Sequence, residues 1–212
     1  MKSKTVFVCS NCGTKSARWQ GRCPTCGAWN SFVEEEISPS STKKSSTSNQ
    51  KPVLLSEIQT ENTYRLLTGI EEFDRVLGGG IVPGSVVLLG GDPGIGKSTL
   101  LLQISAKFKP ENCIYVTGEE SLSQISLRSK RILHNKEDIQ IIAETNLESI
   151  FENIKKLDQL EFVVIDSIQS MSSNNVDAIA GSLIQIRECT NEITNFAKKN
   201  YITFFFNVLR IR

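Results

Sequence analysis

Val86-Val87-Leu88-Leu89-Gly90-Gly91-Asp92-Pro93-Gly94-Ile95-Gly96-Lys97-Ser98-Thr99 sets the architecture of most of this chain. A short apolar run over residues 86–89 ends in a glycine-rich turn, and helical periodicity follows over residues 98–108. Gly91 to Ser98 fits the P-loop pattern G-x-x-x-x-G-K-[ST]. Its glycines let consecutive backbone N–H groups point inward around a β-phosphate, and the helix N-terminus adds its positive dipole end. Lys97 reaches the β- and γ-phosphates, and the Ser98 hydroxyl is a ligand for Mg²⁺. The expected cradle is therefore Gly91, Asp92, Pro93, Gly94, Ile95, Gly96, Lys97, Ser98 and Thr99.

Beyond this stretch, apolar runs alternate with helical patterns. Strands are expected over residues 114–117, 139–143, 162–166 and 202–206, and helices over 122–133 and 147–157. Between residues 179 and 196, Ile179, Leu183, Ile186, Cys189, Ile193 and Phe196 recur at steps of three or four, the apolar stripe of a helix. Strands apolar on both faces and separated by helices predict an α/β fold: a mainly parallel sheet with helices on both sides. Asp166 closes the run Phe162-Val163-Val164-Ile165, and a carboxylate at the C-terminal end of a buried strand suits a water-mediated Mg²⁺ contact. The strand over 114–117 runs into Gly118-Glu119-Glu120. A glutamate there either polarises an attacking water or merely opens the next helix, where negative charge suits the dipole; the pattern leaves both open. Cys113 and Cys189 stand alone in apolar patterns and read as buried small hydrophobes.

Four further cysteines lie in the first 26 residues, as Cys9-x2-Cys12 and Cys23-x2-Cys26. Two such knuckles complete a tetrahedral S4 shell for a structural Zn²⁺, with no position left open for catalysis. Disulfides of a secreted microdomain are the competing reading, but the N-terminus lacks the apolar core of a signal peptide, which points to a cytoplasmic location. Residues 1–33 hold five cations (Lys2, Lys4, Lys15, Arg18, Arg22) and no Asp or Glu, although the whole 212-residue chain is nearly balanced at +1. Trp19 and Trp29 are open to two readings there: contacts to nucleic acid, or the small core of the ribbon. From Ser38 to Ser48, eight of eleven residues are Ser or Thr. The expected organisation is a zinc finger over 1–33, a flexible linker over 34–53 and a core over 54–212. No apolar run reaches the roughly 18 residues of a membrane span.

Together these runs carry a resemblance. The ribbon reads Arg18-Trp19-x-Gly21-Arg22-Cys23-Pro24-x-Cys26-Gly27-x-Trp29-Asn30. It is joined to Thr68-Gly69-Ile70-x-x-Phe73-Asp74-Arg75-Val76-Leu77-Gly78-Gly79-Gly80-Ile81-Val82-Pro83-Gly84-Ser85, then to the P-loop and Tyr115-Val116-Thr117-Gly118-Glu119-Glu120-Ser121. Over residues 5–33 and 54–206 the chain resembles the RadA/Sms family of bacterial DNA-repair ATPases, relatives of RecA and of hexameric replicative helicases. The resemblance implies a RecA-like core that hydrolyses ATP with Mg²⁺ and binds single-stranded or branched DNA. It also implies a hexameric homo-oligomer, a RecA-type recombinase as partner, and a role in processing recombination intermediates. It assigns Lys97 and Ser98 to phosphate and metal, Asp166 to the Walker B carboxylate, and Glu119 to catalysis, with Glu120 as its neighbour at the site edge.

One departure stands out. After the strand over 202–206 the family has a Gly-His-Val-Thr-Lys type segment that senses the γ-phosphate, whereas this chain reads Asn207-Val208-Leu209-Arg210-Ile211-Arg212. The family's Lys-Asn-Arg-Phe-Gly motif and C-terminal Lon-protease-like domain have no counterpart here. His134 does not replace the sensor and reads as a solvated helix cap. In the family topology the strand over 202–206 inserts between the P-loop and Walker B strands, so residues 86–89 are expected at an unpaired, apolar sheet edge. The expectation is a C-terminally truncated member. The alternative function is then a catalytically weak nucleotide- and zinc-binding remnant of the ATPase. A P-loop kinase is the third reading, disfavoured by Glu119 and the run before the P-loop.

Overall fold

The computed structural model describes residues 4–37, 52–57, 64–133 and 138–209. The whole Ser/Thr-rich stretch over residues 38–48 and His134 lie outside the described residues. The chain divides into two compact units, Met1–Thr63 and Tyr64–Arg212.

The first unit is a three-stranded antiparallel ribbon in the order β2-β1-β3, formed by β1 (Lys4–Cys9), β2 (Lys15–Ser16) and β3 (Phe32–Ile37). The ladder from Cys9↔Phe32 to Lys4↔Ile37 carries β3 four residues past the boundary expected at residue 33. Strand pairing is a backbone property, and the acidic run Glu34-Glu35-Glu36 does not interrupt it. The ribbon's buried cluster is Cys9, Cys23 and Phe32, with Phe7 and Cys12 packed against it. Trp19 and Trp29 are exposed, so of their two readings the core one is excluded.

The second unit comprises α1 (Glu71–Val76), β4 (Val86–Gly91), α2 (Lys97–Ser105), β5 (Cys113–Thr117), α3 (Leu122–Ile132), β6 (Gln140–Ala143), α4 (Leu147–Ile154), β7 (Phe162–Asp166), α5 (Leu183–Asn200) and β8 (Thr203–Leu209). All five strands are parallel, in the order β4-β8-β7-β5-β6. Period-2 alternation splits each central strand between two faces. Ile114, Val116, Val163, Ile165, Phe204 and Phe206 pack against α4 and α5. Cys113, Tyr115, Phe162, Val164 and Phe205 pack against α2 and α3 on the other side. Every residue of β5 and β7 is buried, which is why both read as continuous apolar runs.

Strand β8 does lie between β4 and β7, and among the described residues β4 has no partner on its outer side, where Leu88 is exposed. Pairing extends β8 beyond Phe206 to Leu209, opposite Gly91. One helix start differs from expectation. Gly181 holds φ of 82° and Ser182 caps α5 by accepting from the Gln185 N–H, so Ile179 falls outside the helix and is exposed. The buried stripe is instead Gln185, Cys189, Ile193 and Ala197, one residue per turn. The run before β4 serves packing: the Thr68 N–H and hydroxyl donate to Asp74 Oδ1 at 3.0 and 2.8 Å, and the Gly79 and Gly80 N–H groups donate to the Asp74 carbonyl at 2.8 and 3.1 Å. No helix among the described residues is long and apolar enough to cross a membrane.

Candidate functional site

Strand β4 delivers the chain into the loop between Gly91 and Lys97 at the C-terminal edge of the sheet, where parallel α/β sites form. Gly94 and Gly96 take φ of 79° and 98°, a conformation that side chains disfavour, and this folds the loop over the start of α2. Gly96 caps α2 with no side-chain bond. The first N–H groups of the helix are therefore left for an anion. Lys97 is buried, and its ammonium folds back to donate to the carbonyls of Gly91 (2.9 Å) and Asp92 (2.8 Å).

Asp166, at the end of β7, organises the rest. Its Oδ1 accepts from the Ser98 hydroxyl at 3.0 Å and from the Asn207 amide, which also donates to Ser98 Oγ at 3.2 Å. Its Oδ2 accepts from the Tyr115 hydroxyl. Burial, then the Asp166 charge, pushes the Tyr115 phenol far above its ordinary range, so it remains a neutral donor. Arg128 of α3 lies 3.7 Å from the same oxygen, donates to Tyr115 Oη at 3.2 Å and pairs with Glu120. Glu119 accepts from the Ser167 hydroxyl. The Gly118 N–H donates to the Asp166 carbonyl at 3.1 Å, and a Cβ at Gly118 would stand 2.1 Å from Ser170 Oγ. That close approach fixes the turn carrying Glu119.

The P-loop, Glu119, Arg128, Asp166, Ser167 and Asn207 line one cavity of about 370 Å³. The structure brings Pro93, Gly94, Gly96, Lys97, Ser98, Thr99, Glu119 and Asp166 around this common space, while Gly91, Asp92 and Ile95 of the expected cradle do not line it. Glu120 does not face it freely; its carboxylate is engaged by Arg128. Arg128, Ser167 and Asn207 line the cavity and Tyr115 bonds to Asp166 beneath it, four positions that the sequence pattern does not single out. Arg128→Met is expected to leave Glu120 and Asp166 without their cation and to cost about 1–3 kcal/mol of stability, read as a lowered urea midpoint.

In the ribbon, the four sulfurs of Cys9, Cys12, Cys23 and Cys26 all lie within 4.8 Å of one another. Cys9–Cys26 and Cys12–Cys23 approach to 3.7 and 3.5 Å. A zinc tetrahedron with bonds of about 2.3 Å needs sulfurs about 3.8 Å apart, so the donor set fits that ion. No disulfide joins the four cysteines, and their single cluster supports the metal reading over the disulfide one. Burial raises the Cys23 thiol, but the backbone N–H groups of Cys26 and Thr25 and the neighbouring thiols outweigh it and bring it down to about 6. For Cys12, hydrogen bonds with Thr14 act downward, yet its burial and the sulfurs of Cys23 and Cys26 prevail and push it up to about 11. Sulfurs this close cannot all ionise alone, and a divalent cation removes that conflict. Cys113 and Cys189 are both pushed up to about 12 by burial and are inert small hydrophobes.

Fold and site define a zinc-ribbon protein with an α/β unit whose P-loop lies beside the edge of a parallel sheet. The chain belongs to the family whose model, described as "Family of unknown function (DUF7125)", matches residues 65–197. A second model, the rubredoxin metal binding domain, matches residues 7–34. The chain is also a homologue of the DNA repair protein RadA. It is 42% identical to that protein of Bacillus subtilis (strain 168) over 212 residues, covering 96% of this chain and 46% of the relative. It is 45% identical to those of Streptococcus pyogenes serotype M6 and Listeria monocytogenes serovar 1/2a, with the same coverage. The chain therefore spans about half the length of these curated relatives.

Proposed function

We propose that the α/β unit binds ATP with Mg²⁺ and hydrolyses it as part of a DNA-dependent ATPase of recombinational repair, acting on branched or stalled recombination intermediates. The observation that carries this reading is the convergence of Lys97, Ser98, Asp166 and Glu119 on one cavity of about 370 Å³. The donor set suits the ligand: open N–H groups and an ammonium for phosphate, and a hydroxyl and a carboxylate, both hard oxygens, for Mg²⁺. Bound Mg²⁺ would neutralise charge on the β- and γ-phosphate oxygens.

The chain's own residues would do the rest. Lys97 exchanges its two loop carbonyls for phosphate oxygens and stabilises charge on the leaving β-phosphate. Ser98 and Asp166, joined at 3.0 Å, hold the metal side of the site. Glu119, oriented by Ser167, accepts a proton from the attacking water. Single-stranded or branched DNA, a RecA-type recombinase and further copies of the chain in a hexamer are the partners this reading carries, by kinship with the repair protein RadA.

A second reading, nucleotide and zinc binding with weak turnover, is favoured by one observation. Among the described residues the cavity holds only two side-chain cations, Lys97 and Arg128, and Arg128 is engaged by Glu120. Asn207 brings an uncharged amide to the position beside Ser98 and Asp166. Little positive charge is left for the transition state.

Fluorescent-ATP titration and phosphate release, with and without single-stranded DNA, separate the two readings. Lys97→Ala is expected to weaken nucleotide binding about 10–100-fold, the worth of a charge-assisted phosphate contact. Unchanged affinity in that variant would place the nucleotide elsewhere and remove both readings.

A further inference from the structure

We infer that the exposed face of the ribbon around its second knuckle is a stacking platform for single-stranded DNA, with Trp19 and Trp29 carrying bases and Lys15, Arg18 and Arg22 carrying phosphates. The choice of DNA rests on the repair-ATPase reading above; the platform itself rests on the ribbon.

The first observation is exposure without a packing role. Trp29 is 72% and Trp19 53% exposed, while the ribbon closes its buried cluster with Cys9, Cys23 and Phe32. Indoles are the largest apolar side chains, and two on a unit this small are not needed to cover anything. The second observation is that both are framed. Trp29 faces Arg22 across an antiparallel bridge, with the guanidinium 5.7 Å from the indole centroid. Arg22 Nε also donates to the Gly27 carbonyl at 3.2 Å. The Trp19 ring lies against Gly21, whose carbonyl accepts the Asn30 N–H at 2.8 Å. Both rings thus flank the same bridged segment, which Cys23 and Cys26 tie to the metal site.

The third observation is charge. Lys15, Arg18 and Arg22 are exposed, and residues 1–33 contain no carboxylate side chain. The acidic run begins at Glu34 and proceeds along β3 away from the Cys9↔Phe32 pair, so it leaves the knuckle end uncompensated. Cations interleaved with exposed aromatic faces suit a polyphosphate whose bases are free to stack, which is a single strand rather than a duplex. A protein partner would also use tryptophan and arginine. Residues 1–33 supply cations and no carboxylate, which favours phosphate instead.

The sequence has 2 tryptophans, and both are here. Tryptophan emission of the zinc-loaded, full 212-residue chain therefore reports on the ribbon alone. Titration with oligo(dT), without nucleotide, is expected to quench that emission, whereas the equivalent duplex at equal salt does not. The double variant Trp19→Ala/Trp29→Ala is expected to bind fluorescein-labelled oligo(dT) at least about tenfold more weakly. Arg18→Ala/Arg22→Ala is expected to shrink the salt slope of binding by about 1–2. Zinc content equal to that of the parent shows that each variant keeps its ribbon. Oligo(dT) binding without quenching, or equal affinity in the tryptophan variant, would overturn the platform. So would emission that responds to a RecA-type recombinase but not to oligo(dT). Failure of the ATPase reading shows separately, as absent nucleotide binding or absent DNA-stimulated phosphate release with quenching intact.

Discussion

Removing zinc, or replacing Cys23 by alanine, is expected to unfold the ribbon while leaving the α/β unit folded. The unit has little else to hold it. Its buried cluster is three residues, two of them metal-site cysteines. Its backbone turns are knuckle bonds: Gly13 N–H to the Cys9 carbonyl at 2.8 Å, Gly27 N–H to the Cys23 carbonyl at 2.9 Å, and Cys23 N–H to the Ala28 carbonyl at 2.8 Å. Structural zinc contributes on the order of 10–16 kcal/mol of binding free energy to folding in such elements, more than a cluster of this size supplies. The α/β unit instead has two apolar clusters of its own, one on each face of its sheet. Hydrogen exchange with and without a chelator reads both halves in one experiment. Amides of Cys9, Gly13, Cys23 and Gly27 are expected to lose protection, while those of β5 and β7 keep theirs. Retained protection in the ribbon after complete zinc removal would show that the cysteines pack as ordinary hydrophobes.

The parts of this protein legible in its sequence are those governed by local pattern. A strand buried on both faces has to be apolar throughout, so β5 and β7 announce themselves, and the P-loop encodes its own turn through Gly94 and Gly96. The position of Asp166 is legible because it closes such a strand, and the end of that strand opens on the P-loop cavity. Arg128 is not. Its reach to Tyr115, Glu120 and Asp166 exists only once α3 packs back against β5, and on the sequence it is one more charge on an amphipathic helix. Asn207 is similar: its amide reaches Ser98 and Asp166 because β8 runs between β4 and β7. Ile179 shows the opposite failure. Its spacing from Leu183 is helical, but a positive-φ Gly181 and the Ser182 cap intervene, and a period cannot see a backbone break. The tryptophans were ambiguous because burial in so small a unit depends on which side of the ribbon the cysteines turn.

Glu119→Gln is expected to lower ATP turnover about 10²–10⁴-fold while leaving nucleotide affinity within about threefold, because the change removes only a proton acceptor. Two glutamates follow Gly118, and sequence pattern allows both to be mere helix openers. The geometry of α3 argues against that use. Its N-terminus is closed by a capping box, in which the Ser121 hydroxyl accepts from the Gln124 N–H and the Gln124 side chain accepts from the Ser121 N–H. Glu120 is held by Arg128, whereas Glu119 turns to the cavity and is met there by the Ser167 hydroxyl. A glutamine oxygen can still accept that bond, so the side chain keeps its place. Glu120→Gln should therefore behave differently, losing stability with Arg128 left unpaired and changing turnover much less. Were Glu119 acting only on the helix dipole, its replacement would cost about 0.3–1 kcal/mol of stability and spare turnover. Single-turnover hydrolysis at saturating ATP, run beside urea denaturation of both variants, distinguishes these outcomes. Equal rates for the parent and Glu119→Gln would exclude Glu119 as the base.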